Sequence, residues 1–180
     1  HQYVWHPFTQ MRDWLKQEPI VITKGKGATL TDADGRDYLD ANSSIWTNLH
    51  GHNHPRINRA IRAQLDKIAH SSALGFANEP ASLLAEKLVQ AANPKLLRAR
   101  CKNPRFQKVF CSDEGSTAME AAMKLSYEFT RRSGLSKRPR FLSLEGAYHG
   151  DTVGAVSAGH IDLFHSAFSQ MLFKTDKVMA

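Results

Sequence analysis

Apolar positions recur along this chain in two rhythms. Near the start the rhythm is short. Residues 19–23 are apolar and β-branched, residues 29–31 follow the glycines of Lys24-Gly-Lys-Gly27, and residues 36–40 return after an Asp32-Ala-Asp-Gly35 turn. That pattern predicts an antiparallel meander of three short strands. The stretch Ser43-Ser-Ile-Trp-Thr-Asn48 then passes into a Gly/His loop that ends at Pro55. From there the period lengthens. Ile57, Ile61, Leu65 and Ile68 predict one helix, and Leu83, Leu84, Leu88 and Val89 a second, opened by Pro80 and closed by Asn93-Pro94. Residues 106–111 read as a buried strand, 117–132 as a third helix closed by Ser133-Gly134, and 140–144 as another strand. A glycine-bounded loop, the small-residue segment Val153–Ala158 and a strand-like 170–174 complete the pattern.

Strand, helix, strand and then a glycine-rich loop before a helix is the order of an α/β fold with a largely parallel sheet. Ligands of such sheets bind where strands end and helices begin. Two stretches occupy that position. In the first, Ser112-Asp-Glu-Gly-Ser-Thr117 leads into the third helix. The unpaired N–H groups of a helix start suit a phosphate, with Gly115 allowing close approach and Ser116 and Thr117 adding hydroxyls. An ordinary Ser or Asp cap explains the same residues. Neither the Gly-x-x-x-x-Gly-Lys loop nor the Gly-x-Gly-x-x-Gly fingerprint is present. In the second, Gly146-Ala-Tyr-His-Gly-Asp151 sets an aromatic, an imidazole and a carboxylate on one loop. Tyr148 suits stacking on a flat ring and His149 proton transfer; an incidental turn is the plain alternative.

Composition narrows the picture. With 180 residues, 42% hydrophobic and 23% charged, the chain reads as globular. No run approaches the ~18 apolar residues of a membrane span. Only two cysteines occur, Cys101 and Cys111, which fits a reducing cytoplasm better than a disulfide framework. The net charge of +7 gathers in two clusters: Arg98, Arg100, Lys102, Arg105 and Lys108, then Arg131, Arg132, Lys137, Arg138 and Arg140. Both read first as solvated helix ends and loops, since neither has the interleaved aromatics of a single-strand binder. A basic nucleic-acid-binding module is the alternative. His50-Gly-His-Asn-His54 has alternating histidines but no neighbouring Cys or carboxylate, so a polar loop is favoured over a metal site. The chain has no initiator Met, and both ends read as cuts.

Six motifs, taken in order, carry a resemblance. They are Trp5-His-Pro-Phe-Thr-Gln10, Asp34-Gly-Arg36, Ser43-Ser-Ile-Trp46, Leu49-His-Gly-His52, Ser112-Asp-Glu-Gly-Ser-Thr-Ala-Met-Glu120 and Gly146-Ala-Tyr-His-Gly-Asp-Thr-Val-Gly-Ala155. Together they resemble the class III pyridoxal-phosphate aminotransferases, and within them the branch serving biotin biosynthesis. The resemblance implies the α/β fold of pyridoxal-phosphate-dependent transferases of fold type I. Residues 1–54 would be the amino-terminal segment and meander of the small domain, and 55–180 the first part of the large cofactor-binding domain. It implies a homodimer that moves an amino group onto 8-amino-7-oxononanoate, giving 7,8-diaminononanoate, with adenosylmethionine or lysine as donor. The runner-up is an omega-amino-acid:pyruvate-type aminotransferase of the same class.

By the same resemblance, Gly115 and Ser116 hold the phosphate of pyridoxal 5'-phosphate. Tyr148 stacks on its ring and borders the substrate, and Phe8, Ile45 and Trp46 line the substrate pocket. Three departures stand out. Glu114 replaces the usual Ser of Ser-Asp-Ser-Gly-Ser and is expected to face solvent. Phe8 stands where many members have Tyr, and Ile45-Trp46 where many have a Trp pair. The Schiff-base lysine, the Asp for the pyridine nitrogen and an Arg for a carboxylate are expected beyond residue 180, so these 180 residues should be inactive alone.

Overall fold

A computed structural model describes residues 3–93 and 105–179. Arg98, Arg100, Lys102 and Cys101, with the proposed helix stop at Pro94, lie outside the described residues. The chain divides into two units, His1–Asn78 and Glu79–Ala180.

In the first unit a short helix, α1 (Met11–Trp14), precedes the meander. The strands are β1 (Ile22–Lys26), β2 (Thr29–Asp32) and β3 (Asp37–Leu39), all antiparallel in the order β1-β2-β3. The first strand is displaced from the 19–23 expected. Its pairing runs on through Gly25 to Lys26 opposite Thr29, with an irregularity between Ile22 and Lys24. The glycines read as a connection are therefore partly ladder, and the tight link is Gly27, whose φ of 58° only glycine adopts without penalty. Buried Asp32 organises the next turn. Its carboxylate accepts the N–H groups of Asp34 and Arg36, both at 2.9 Å, and the Tyr38 hydroxyl at 2.7 Å. The Tyr38 hydrogen bond is the main reason the Asp32 pKa lies below the usual carboxylate range. Helix α2 (Pro55–Leu65) follows, with proline in its first turn, where a missing N–H costs nothing.

In the second unit, α3 (Glu79–Ala92) ends at buried Asn93. The Asn93 amide donates to the Phe106 carbonyl at 2.7 Å and accepts the Phe106 N–H at 3.1 Å. Residues 106–111 are not the buried strand the sequence predicts. They pair with no strand among the described residues, and Phe106 and Phe110 are exposed. Propensity alone does not make a strand without a ladder partner, and the Asn93 side chain takes both backbone groups of Phe106. Helix α4 (Gly115–Arg132) is two residues longer than expected at its start and stops at Ser133, with Gly134 at φ 71°.

Then come β4 (Leu142–Leu144), α5 (Val153–Ala158), α6 (Asp162–His165), a 3-10 turn (Ser166–Met171) and β5 (Asp176–Val178). Strands β4 and β5 pair in parallel, Leu142 with Asp176 through Leu144 with Val178. The final strand thus lies beyond the 170–174 expected, because the 3-10 turn consumes Gln170 and Met171. The apolar core of this unit is small-residue packing. Ala155, Val156 and Ala158 of α5 are buried, as is Met123 of α4. Glu120 joins the two helices: its carboxylate accepts the Thr152 hydroxyl at 2.6 Å and the Gly154 N–H at 2.8 Å. A side chain at Gly154 would collide with that carboxylate.

Candidate functional site

The start of α4 and the loop after β4 meet in the second unit. Gly150 adopts φ 111°, and a Cβ there would overlap Ser116 and lie 2.8 Å from its Oγ. Glycine is required on both counts. Ser116 is buried at this junction, while a Cβ at Gly115 would meet nothing within 4 Å. The first-turn N–H groups of Gly115 and Ser116 have no carbonyl one turn back to bond, whereas the Thr117 N–H donates to the Glu114 side chain in a capping box. An open glycine, a buried hydroxyl and a helix start with partial positive charge form a donor set that fits a phosphate.

Glu114 does not face away from this spot as expected. The residue is exposed, but its carboxylate accepts the Ser116 hydroxyl at 2.7 Å. A carboxylate is drawn to a helix N-terminus for the same reason as a phosphate. The Glu114 N–H in turn donates to Thr117 Oγ1 at 3.0 Å, and Ser112 and Thr117 hydroxyls are in close contact.

Tyr148 stands on the same loop. Its hydroxyl donates to Asp151 at 2.7 Å. That bond, with a smaller contribution from burial, raises the Tyr148 pKa above the ordinary tyrosine value. Sequence reasoning missed the rest of this network. Buried His165 accepts the Ile161 N–H at Nδ1, 3.1 Å away, so Nε2 carries the proton and donates to Asp151 at 3.2 Å. The His165 and Tyr148 rings lie nearly parallel, 10° apart, with centroids 6.3 Å distant. Asp151 sits inside a motif read from the sequence; His165 carries no local signal. His149 lies against Gly159, where a Cβ would come within 2.9 Å of its ring.

In the first unit, Ile45 and Trp46 belong to one unusual turn. Ser43–Trp46 have φ of 53°, 50°, 58° and 64°, four consecutive left-handed residues. The Asn42 carbonyl accepts the Trp46 N–H at 2.8 Å and the Ser43 carbonyl the Thr47 N–H at 3.0 Å, so this is one turn of left-handed helix. Such a turn costs L-residues about 1–2 kcal/mol each. Phe8 is left-handed too, at φ 50°. Strained backbone thus coincides with all three sequence-predicted substrate residues of this unit, a clustering typical of functional segments. All three are exposed.

Asp40 accepts the Ser44 N–H at 2.8 Å, its hydroxyl at 2.8 Å, and the His52 Nε2 proton at 2.7 Å. The Ser44 N–H, then His52, hold the Asp40 carboxyl below the usual range. His52 is therefore committed to Asp40. His50 and His54 face each other at 6.1 Å, and no metal-holding group of three or more His, Cys, Asp or Glu occurs among the described residues. No helix among them is long and apolar enough to cross a membrane.

Residues 11–180 match the family described as aminotransferase class-III. The chain is 47% identical over 174 residues to the adenosylmethionine-8-amino-7-oxononanoate aminotransferase of Geobacter sulfurreducens, covering 97% of this chain and 36% of that protein. The same-named protein of Aquifex aeolicus is 46% identical, with 98% and 37% covered. Among solved structures, the same-named enzyme of Methanocaldococcus jannaschii superposes with a TM-score of 0.88 at 43% identity, covering 99% of this chain and 39% of that one. An amine transaminase from an uncultivated Pseudomonas species, in its PLP-bound form, gives 0.81 at 31% identity over 99% and 38%. The chain thus spans little more than a third of the length of the relatives it matches.

Proposed function

From the membership of this chain in the class-III aminotransferases, we propose that the complete protein containing it transfers an amino group to the ketone of 8-amino-7-oxononanoate, yielding 7,8-diaminononanoate in biotin biosynthesis. The observation that carries this is the 47% identity across 97% of the chain to a relative of that name. Omega transaminases are also structural neighbours, but at 25% identity.

The cofactor in this reading is pyridoxal phosphate. When bound, it supplies an electron sink at the amine carbon and a carrier for the amino group. Gly115 and Ser116 bind its phosphate through their N–H groups and the Ser116 hydroxyl, which must first turn from Glu114. Tyr148 lies against the flat ring, and Asp151 fixes the tilt of Tyr148 through its hydroxyl. Phe8, Ile45 and Trp46 present apolar surface that orients the carbon chain of the keto substrate and excludes water from it. We place the reactive lysine and its Asp and Arg companions elsewhere in the complete protein, which we read as a homodimer. Residues 1–54 are read as small domain and 55–180 as the start of the large one. A cytoplasmic location accords with the two cysteines.

Phe8 and Ile45 offer no hydroxyl or second indole to a polar donor, so lysine stands beside adenosylmethionine as amino donor. The test is to incubate the full-length protein with pyridoxal phosphate, 8-amino-7-oxononanoate and each donor in turn. Formation of 7,8-diaminononanoate supports the reading. Turnover of unrelated amines alone, with none of this product, overturns it.

A further inference from the structure

The left-handed turn at Ser43–Trp46 needs something to hold it. Within these 180 residues packing contributes little: Ile45 is 68% exposed and Trp46 85%. Beside the turn's own backbone bonds and the Asn42 side chain, which accepts the Ile45 N–H at 3.4 Å, one carboxylate ties it to the rest of the unit. Asp40 grips Ser44 at both its N–H and its hydroxyl, and is itself bonded to His52. The side chains of His52 and Asp40 are only 17% and 6% exposed, so water competes little for these bonds. His52 is anchored in turn. Its backbone exchanges two hydrogen bonds with Gly27, at 2.8 and 3.0 Å. Its ring lies so close to β1 that a Cβ at Gly25 would come within 2.9 Å of it. A continuous line of contacts therefore runs from the meander through His52 and Asp40 to Ser44, the residue before Ile45.

We infer that Asp40 and His52 are positioning residues for the keto substrate, holding Ile45 and Trp46 in the left-handed turn from which they meet it. The inference rests on the reading above that Ile45 and Trp46 contact the substrate. Neither Asp40 nor His52 touches substrate; both act through the backbone of Ser44. Bonds lost from Asp40 let the turn relax towards right-handed or extended backbone, which re-aims both side chains. Binding suffers before chemistry does.

The experiment uses the full-length protein and 8-amino-7-oxononanoate. D40A is expected to raise KM for the keto substrate about tenfold, as for loss of a charged hydrogen-bond partner, with a much smaller change in kcat. Hydrogen exchange should quicken in the peptide holding the Ser44, Trp46 and Thr47 amides. The decisive variant is D40A combined with S44G. Glycine takes the left-handed region without penalty, so KM should return towards the starting value. A merely structural role for Asp40 would not be rescued this way. H52A serves in place of D40A if that protein does not fold. W46A separates the two readings. If W46A raises KM and D40A does not, or if S44G fails to rescue, the positioning role is overturned while the substrate contact stands. If W46A and I45A both leave KM unchanged, the substrate contact itself is overturned, and the positioning role with it.

Discussion

Gly150 lies directly against Ser116, with no room between them for a methyl group. This contact sets the loop after β4, which carries Tyr148, onto the first turn of α4. A G150A substitution should therefore disturb both at once. Overpacking of this kind typically costs ~1–3 kcal/mol, and the positive φ adds strain. The full-length G150A protein should melt lower and bind pyridoxal phosphate more weakly, read by thermal melts and by cofactor titration of the absorbance spectrum. Unchanged melting and cofactor affinity would mean the loop and the helix do not depend on each other.

Glu114 competes for the Ser116 hydroxyl that a phosphate would use. Replacing it with the family's usual serine removes that competitor. E114S should bind pyridoxal phosphate about fivefold more tightly, the equivalent of ~1 kcal/mol of like-charge repulsion at contact distance in water. Titration of the full-length apoprotein measures this. Equal or weaker binding would show that the carboxylate is spectator or partner.

How far the site was legible from sequence depends on the kind of order involved. Gly115, Ser116 and Tyr148 stood out as candidates because glycine, a hydroxyl and an aromatic have a local meaning where a loop runs into a helix. The meander and the three long helices were visible in periodicity, with strand boundaries moved by ladder partners that sequence does not name, whereas the four-residue helices α1 and α6 were not. Residues 106–111 show the limit: their β propensity is real, yet the backbone of Phe106 is taken by Asn93, thirteen positions away. The Asp40–His52 and Asp151–His165 bonds were invisible for the same reason. Each joins residues twelve or more apart with no fixed spacing rule. The left-handed turn was hidden because none of Ser43–Trp46 is glycine.

Tyr148 should titrate above the ordinary tyrosine value of 10.0, because ionising it sacrifices the hydrogen bond to Asp151. A raised pKa in the folded protein means that this contribution to stability is whole below the ordinary value and is lost as pH rises through the raised one. D151N should lower the Tyr148 transition towards normal. Spectrophotometric titration of tyrosinate, comparing Y148F with the parent to isolate the residue, checks this. A Tyr148 transition indifferent to D151N would contradict the assigned bond.

Glu128 offers a test at the other end of the pH scale. Arg131, then Arg132, hold its carboxyl down from 4.5 to about 2. A depressed pKa contributes stability that is present above 4.5 and lost as pH falls towards about 2. The difference in melting temperature between the parent and E128Q should shrink across that window. Added salt should shrink it further, since the pairs are solvent-exposed. A difference constant across the window would contradict the pairing.

The Ser116–Gly150 junction is proposed as the seat of the cofactor phosphate. The most direct measurement is a crystal structure of the full-length protein with pyridoxal phosphate bound. Phosphate oxygens should lie within hydrogen-bonding distance of the Ser116 hydroxyl and the Gly115 and Ser116 N–H groups. The Tyr148 ring should lie against the pyridine, with the Glu114 carboxylate turned off Ser116. A phosphate bound elsewhere, with Glu114 still on Ser116, would contradict that assignment.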